Sequence, residues 1–183
     1  MDKPHYIGTL SPEMALLGLL YRAPAHGYDL HRKVAADLGQ VWHLSQSQAY
    51  AILKRLEKRG DISGEEIPQE KLPPRLLLKM TGQGRARFLG WLETPSGGST
   101  RAIRMEFVTR LYFIQMYFPE KTAAAFNAQK EEAWKHIQRL QATLSALPDD
   151  QIHNRMSLEL RLGQLETTLS WLDDWDRKIG TSK

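Results

Sequence analysis

One sixteen-residue stretch, Ser45 to Gly60, constrains this chain more than any other. Ala49, Ile52, Leu53 and Leu56 recur at i, i+3, i+4 and i+7, which is one apolar face of a helix, and Gly60 stands where a left-handed C-terminal cap belongs. Gln46, Tyr50 and Lys54 run down the other side at four-residue steps, beside Ser47, Ala51, Arg55 and Lys58. Amide, hydroxyl and cationic donors on one ridge are the groups that bond base edges and phosphates in a major groove. Such a helix becomes a reader only where neighbouring elements hold it outward.

The flanking sequence supplies those elements. Ser11-Pro12-Glu13 opens a first helix with a cap residue, a first-turn proline and an acid at the positive helix end. Met14, Leu16, Leu17, Leu19, Leu20 and Tyr21 make it apolar nearly all round, hence a buried scaffold, and Pro24 ends it. Leu30, Val34, Ala35 and Leu38 predict a second helix from about Tyr28 to Leu38, and Trp42 in the short connection reads as core. Helix, short turn and helix give the helix-turn-helix layout. His26, before a glycine, reads as serving turn geometry.

Beyond Gly60, the runs from Ile62 to about Ile67 and from Arg75 to Met80 predict two strands around a proline-bearing turn, a wing. Lys71, Arg75 and Lys79 are its phosphate candidates, with Glu65, Glu66 and Glu70 close by. Thr81 to Gly84 starts another helix with Ala86, Phe88, Leu89 and Leu92 turned inward. Glu93 to Thr100 is small and flexible in composition, and the domain boundary is placed there, between residues 1–95 and 96–183.

The second half is built differently. An aromatic-rich helix covers Arg104 to Tyr117, with Phe107, Val108, Leu111, Tyr112 and Ile114 on its apolar face, and Pro119 starts the next. Phe126, Ala133, Ile137, Leu140, Leu144 and Leu147 form one seam, with Lys130 in its polar slot. Leu158, Leu162, Leu165, Leu169, Leu172 and Ile179 form a second, with Asp176 as the exception. Two seams joined by a short loop predict an antiparallel helical hairpin. Trp134, Trp171 and Trp175 lie off or beside the seams, leaving more apolar surface than one hairpin buries, so a second copy is the simplest cover. The expected dimer residues are Phe107, Leu111, Ile137, Leu140, Leu144, Leu162, Leu165, Leu169, Leu172 and Trp175.

Composition narrows the function class. The 183 residues contain no cysteine, which excludes disulfides, thiolate metal sites and cysteine nucleophiles. Neither a membrane span nor a signal peptide is evident, so a cytoplasmic protein is expected. The net charge of +4 and pI near 9.3 fit a nucleic-acid partner without requiring one. Gly82-x-Gly84 meets Arg87 where a dinucleotide fingerprint needs glycine, and no phosphate-cradling loop follows. The six histidines show no zinc spacing, and Asp173, Asp174 and Asp176 read as a solvated face. No catalytic residue, metal or cofactor is expected.

His26-Gly27-Tyr28-Asp29-Leu30, Trp42, Gln48 to Leu56, Pro74-Arg75, Met80-Thr81 with Gly84, Trp91-Leu92 and Pro95 together resemble PadR-type transcriptional regulators. The motifs cover the first half; the second half matches by its layout of three helices. The resemblance implies a homodimer joined by its C-terminal helices that reads an inverted-repeat operator and usually represses. It departs from the family at Leu76, Leu77 and Leu78, where the second wing strand usually reads Arg/Lys-x-Tyr. The expected fold is therefore mainly α (α+β), a winged helix-turn-helix followed by an antiparallel helical dimerisation domain.

The expected DNA contacts are Gln46, Ser47, Gln48, Tyr50, Lys54, Arg55, Lys58, Lys71, Arg75 and Lys79, with double-stranded DNA and a second copy as partners. A small aromatic effector, held by Phe107, Tyr112, Trp134, Trp171 or Trp175, is a further candidate partner. Two bland readings stand beside these. Tyr50 could close the helix against Trp42, and the basic ridge could bind an acidic protein instead of DNA.

Overall fold

The computed structural model describes residues 10–68 and 75–180. These residues are mostly helical, with one small sheet, and divide into two compact units, Met1–Leu92 and Glu93–Lys183.

The first unit runs α1 (Glu13–Leu19), β1 (Ala25–His26), α2 (Gly27–Leu38), α3 (Gln46–Lys58), β2 (Ile62–Ile67), β3 (Arg75–Met80) and α4, which spans Gly82–Glu93 and so ends at the boundary. Its sheet is antiparallel throughout with order β1-β3-β2, Ala25 facing Leu78 and Ile62 facing Met80. The first strand was not expected. Two residues carry no visible period, and the pairing exists because β3 offers its free edge to the segment before α2. There the Nδ1–H of His26 donates to the Leu76 carbonyl at 2.9 Å, the turn-shaping role expected of it.

Leu16, Leu17, Leu30, Val34, Ala49, Leu53, Leu56, Leu78 and Phe88 fill the core, with Trp42 at 6% exposure among them. Burying side chains of this size contributes roughly 1.5–3 kcal/mol each, which is why three short helices hold together. Ala86, expected inward, is exposed: α4 turns Gly84, Phe88 and Leu92 to the core, and Ala86 falls on the other side.

The second unit continues with α5 (Thr100–Ala102), a π turn over Ile103–Phe107, α6 (Val108–Tyr117), a 3-10 turn at Pro119–Lys121, α7 (Thr122–Ser145) and α8 (Ile152–Gly180). The aromatic helix thus starts four residues earlier than its periodicity suggested, capped by Ser99, whose hydroxyl accepts the Ala102 N–H. The wider turn shifts the helical phase. Phe113 and Arg110, outside the expected face, are consequently buried, while Tyr112 is only half-buried.

α7 and α8 pack as an antiparallel hairpin over Phe126, Ala133, Ile137, Leu140, Leu158, Leu162, Leu165 and Leu172, with Leu144, Leu147, Leu169 and Ile179 at its edge. The polar slot belongs to Gln129, fully buried, as well as to Lys130. Lys130 bonds Asp176 at 2.9 Å and Asp173 at 3.1 Å, so the two interruptions of the two seams neutralise each other. The segment read as a flexible linker is pinned at one end: Ser96 is 1% exposed and its N–H donates to Gln129 Oε1 at 2.9 Å. Small residues there serve close packing, not freedom. No helix among the described residues is long and apolar enough to cross a membrane.

Candidate nucleic-acid interface

α3 begins with a reciprocal cap. Ser45 Oγ accepts the Gln48 N–H at 3.2 Å, and Gln48 Oε1 accepts the Ser45 N–H at 2.9 Å. Together they satisfy two donors that a helix start leaves open. Gly60 ends the helix with φ of 80°, a conformation that costs a residue with a Cβ. The chain then turns directly into the sheet.

The end of α3 is tied to the start of α4. Thr81 Oγ1 donates to the Gly60 carbonyl at 2.6 Å and Gln83 Nε2 to that of Arg59 at 2.8 Å. A Cβ on Gly84 would stand 2.0 Å from the Asp61 carbonyl oxygen, so only glycine permits this approach. At the other end, His31 Nε2–H donates to the Leu44 carbonyl at 2.8 Å, fixing the turn that feeds α3. The helix is therefore held at both ends and over its buried face.

What remains outward is the ridge. Gln46, Ser47, Tyr50, Lys54 and Lys58 are exposed, and among the described residues neither Lys54 nor Lys58 forms an ion pair. Tyr50 is 46% exposed and its ring lies on Gly27. A groove of about 630 Å³ runs between α3, the start of α2 and β3, lined by Tyr50, Lys54, Tyr28, His26, Arg75 and Leu76 among others. Lys79 lies on the side of β3 opposite the buried Leu78, and Leu76, at 44% exposure, offers the groove an apolar wall. Lys71 and Glu70 lie outside the described residues.

Two expected contacts are already engaged. Gln48 spends its side-chain oxygen on the cap, which leaves only its amide N–H donors for a base edge. Arg55 Nε reaches Glu13 Oε1 at 3.5 Å, and Arg59 bonds the same carboxylate at 3.1 and 3.4 Å. Arg87, from α4, bridges Glu13 at 2.9 Å and the buried Asp61 at 2.5 Å. Burial alone would raise the Glu13 pKa, but hydrogen bonds from Arg87 and Arg59, with their charges, hold it below the ordinary carboxylate range. The Ser-x-x-Gln signature could have revealed the cap from sequence. The Glu13, Asp61 and Arg87 cluster joins residues up to 74 positions apart and left no local signal.

Residues 16–89 match the Transcriptional regulator PadR-like family, and residues 103–179 match the Virulence activator alpha C-term family. The chain is 26% identical over 133 residues to the Negative transcriptional regulator PadR of Bacillus subtilis, covering 73% of this chain and 72% of that protein. Over residues 16–89 the chain is similar to PadR-like transcriptional regulators. The solved Bacillus subtilis PadR bound to operator DNA is 24% identical, with TM-score 0.46, covering 91% of this chain and 98% of that one. The same protein with p-coumaric acid gives 24% identity and TM-score 0.41 over 98% and 99%. The PadR-like family is one of transcriptional regulators and not of enzymes.

In the second unit, the expected dimer residues fall into two groups. Phe107, Leu111, Ile137, Leu140, Leu162, Leu165 and Leu172 are buried at 9% exposure or less within one chain, and Leu144 and Leu169 are partly buried beside them. Their apolar surface is already used by the hairpin, so they are core and not docking surface. Trp175 alone of the set is exposed, tilted against Trp171 at 6.3 Å. Ile152, Met156 and Leu160, at 60%, 61% and 64% exposure, lie with Trp171 on the side of α8 away from its leucine seam. The heptad signal of the leucines hid this second stripe.

The aromatic residues suggested for an effector do not converge. Phe107 packs edge-on to Phe126 at 5.3 Å in the core and Tyr112 meets Phe113 at 5.0 Å, whereas Trp134, Trp171 and Trp175 are on the surface. Arg110 is buried and bonds Ser96 Oγ at 2.8 Å. Burial pushes its guanidinium down to about 10 against the opposing charge of Glu106, and pushes the Glu106 carboxyl up. The acidic cluster near the end is used in pairs: Asp173 and Asp176 with Lys130, Asp174 with Arg177.

Proposed function

We propose that the protein is a cytoplasmic, homodimeric repressor that binds an inverted-repeat operator. Residues 1–95 would read duplex DNA and residues 96–183 would join two copies. The observation that carries the reading is the exposed ridge of α3, with Gln46, Ser47, Tyr50, Lys54 and Lys58 outward on a helix anchored at both ends. A rigid helix presenting amide, hydroxyl and ammonium donors meets base edges at its centre and phosphates at its flanks. Arg75 and Lys79 on β3 extend the phosphate contacts, and Lys71, outside the described residues, is a further candidate from sequence.

A two-fold dimer would set two copies of α3 in successive major grooves about 34 Å apart, and an occupied promoter excludes polymerase. The name of the Bacillus subtilis relative, a negative regulator, supports repression. That relative's structure with p-coumaric acid supports a small aromatic effector as a further partner. The exposed stripe of Ile152, Met156, Leu160 and Trp171 supports self-association through α8.

Titration of a fluorescent duplex across a salt series tests the reading. Log affinity should fall linearly with log salt, and Lys54→Gln should make the slope shallower by about 0.9. Absence of salt-dependent association with any duplex contradicts it, and binding to an acidic protein instead would favour an interaction module.

A further inference from the structure

We infer that Glu13 keeps the non-specific DNA affinity of the first unit low by withholding Arg55 and Arg59 from phosphate. The inference rests on the duplex-binding reading above and adds a residue to it that lies on α1, outside the reading helix. At about 100° per residue, Lys54 and Lys58 sit near the middle of the outward face of α3 and Arg55 on its flank, with Arg59 further round. A helix seated in a major groove turns its flanks to the phosphates that wall it. Arg55 and Arg59 would therefore be natural phosphate contacts.

Glu13 stands on that flank instead. Its carboxylate accepts from Arg55 at 3.5 Å and from Arg59 at 3.1 and 3.4 Å. A carboxylate and a phosphate compete for the same guanidinium fork. The carboxylate has the advantage of being already in place, whereas a passing phosphate must displace it.

The charge count supports withholding over mere bridging. Arg87 alone satisfies Glu13 at 2.9 Å while also holding Asp61 at 2.5 Å, so the fold does not need two further arginines there. The side chains of Arg55 and Arg59 are 54% and 41% exposed, whereas that of Glu13 is 13% exposed. Two solvent-facing cations thus converge on one largely buried anion, with Arg59 also 3.8 Å from the Asp61 carboxylate. Specific contacts at the centre of the ridge are untouched by this arrangement, and only the sequence-independent part of binding is reduced.

The test measures the salt dependence of binding to a non-operator duplex by fluorescence anisotropy, using the full chain. Glu13→Gln should steepen the slope of log affinity against log salt by about 0.9 for each released arginine, up to about 1.8. Adding Arg59→Gln to that variant should take back about 0.9. Arg59→Gln in the otherwise unchanged protein should leave the slope as it was, and this arm stands even where Glu13→Gln fails to fold. A slope unmoved by Glu13→Gln in a folded protein, or made shallower by Arg59→Gln alone, overturns the inference while leaving DNA binding intact. Loss of the Lys54→Gln effect in the same series overturns the underlying reading as well.

Discussion

The side chains of Ser45 and Gln48 each accept the other's backbone N–H, at 3.2 and 2.9 Å, and so fix the first turn of the reading helix. Ser45→Ala removes one of the two bonds and should lower stability by about 1 kcal/mol, the ordinary worth of such a cap. Chemical denaturation measures it. Gln48→Ala should cost stability in the same direction, because the Gln48 oxygen serves the helix.

Tyr50→Ala separates reading from folding. The ring is about half exposed and rests on Gly27, so its loss should cost no more than about 2 kcal/mol of stability. Operator affinity should fall by about 1–3 kcal/mol, while affinity for unrelated duplex stays close to the original value. Paired denaturation and anisotropy measurements check both numbers. Unfolding of the variant would identify Tyr50 as core.

Leu160 and Leu165 are five residues apart on α8 and should respond oppositely to aspartate. Leu165 is 2% exposed inside the hairpin, and Leu165→Asp should unfold the second unit, costing more than about 4 kcal/mol for a charge without a partner. Leu160 is 64% exposed, and Leu160→Asp should leave the helical content intact while converting a dimer to a monomer. Circular dichroism with sedimentation distinguishes the two. DNA affinity should drop with the monomer, because two half-site contacts no longer bind as one.

Two carboxylates give opposite pH signatures. The Glu13 pKa in the folded protein lies below its ordinary value, because bonds from Arg87 and Arg59 outweigh burial. Its contribution to stability is present above the unfolded pKa, near 4.5, and is lost as pH falls through the lower folded value. Burial raises the Glu106 pKa, so its contribution is present below about 4.5 and is lost as pH rises through the folded value. Glu13→Gln should therefore flatten the acid side of the stability curve, and Glu106→Gln should raise stability at neutral pH. Denaturant midpoints from pH 3 to pH 8 read both.

Much of this was legible in the residues. The spacing of Ala49, Ile52, Leu53 and Leu56 marked the buried face of α3, and Gly60 marked its end, because both follow from local geometry. The leucines of α7 and α8 announced a hairpin by period alone. What escaped depends on partners distant in sequence. Arg87 looked like a misplaced residue in a glycine motif until Glu13 and Asp61 came beside it. The π turn at Ile103–Phe107 has no period to read, and it carried Arg110 and Phe113 inward. The leucines of the seam read equally as hairpin core and as dimer surface, because periodicity shows that a face is buried and not by what.

Selection of bound sequences from a random duplex library, using purified protein at near-physiological salt, tests directly whether α3 reads DNA sequence. A reading helix on a two-fold dimer should recover a palindromic motif whose half-sites lie about one helical turn apart, lost in Tyr50→Ala. Recovery of sequences no different from the starting library, at a salt where the protein still binds duplex, would contradict that reading.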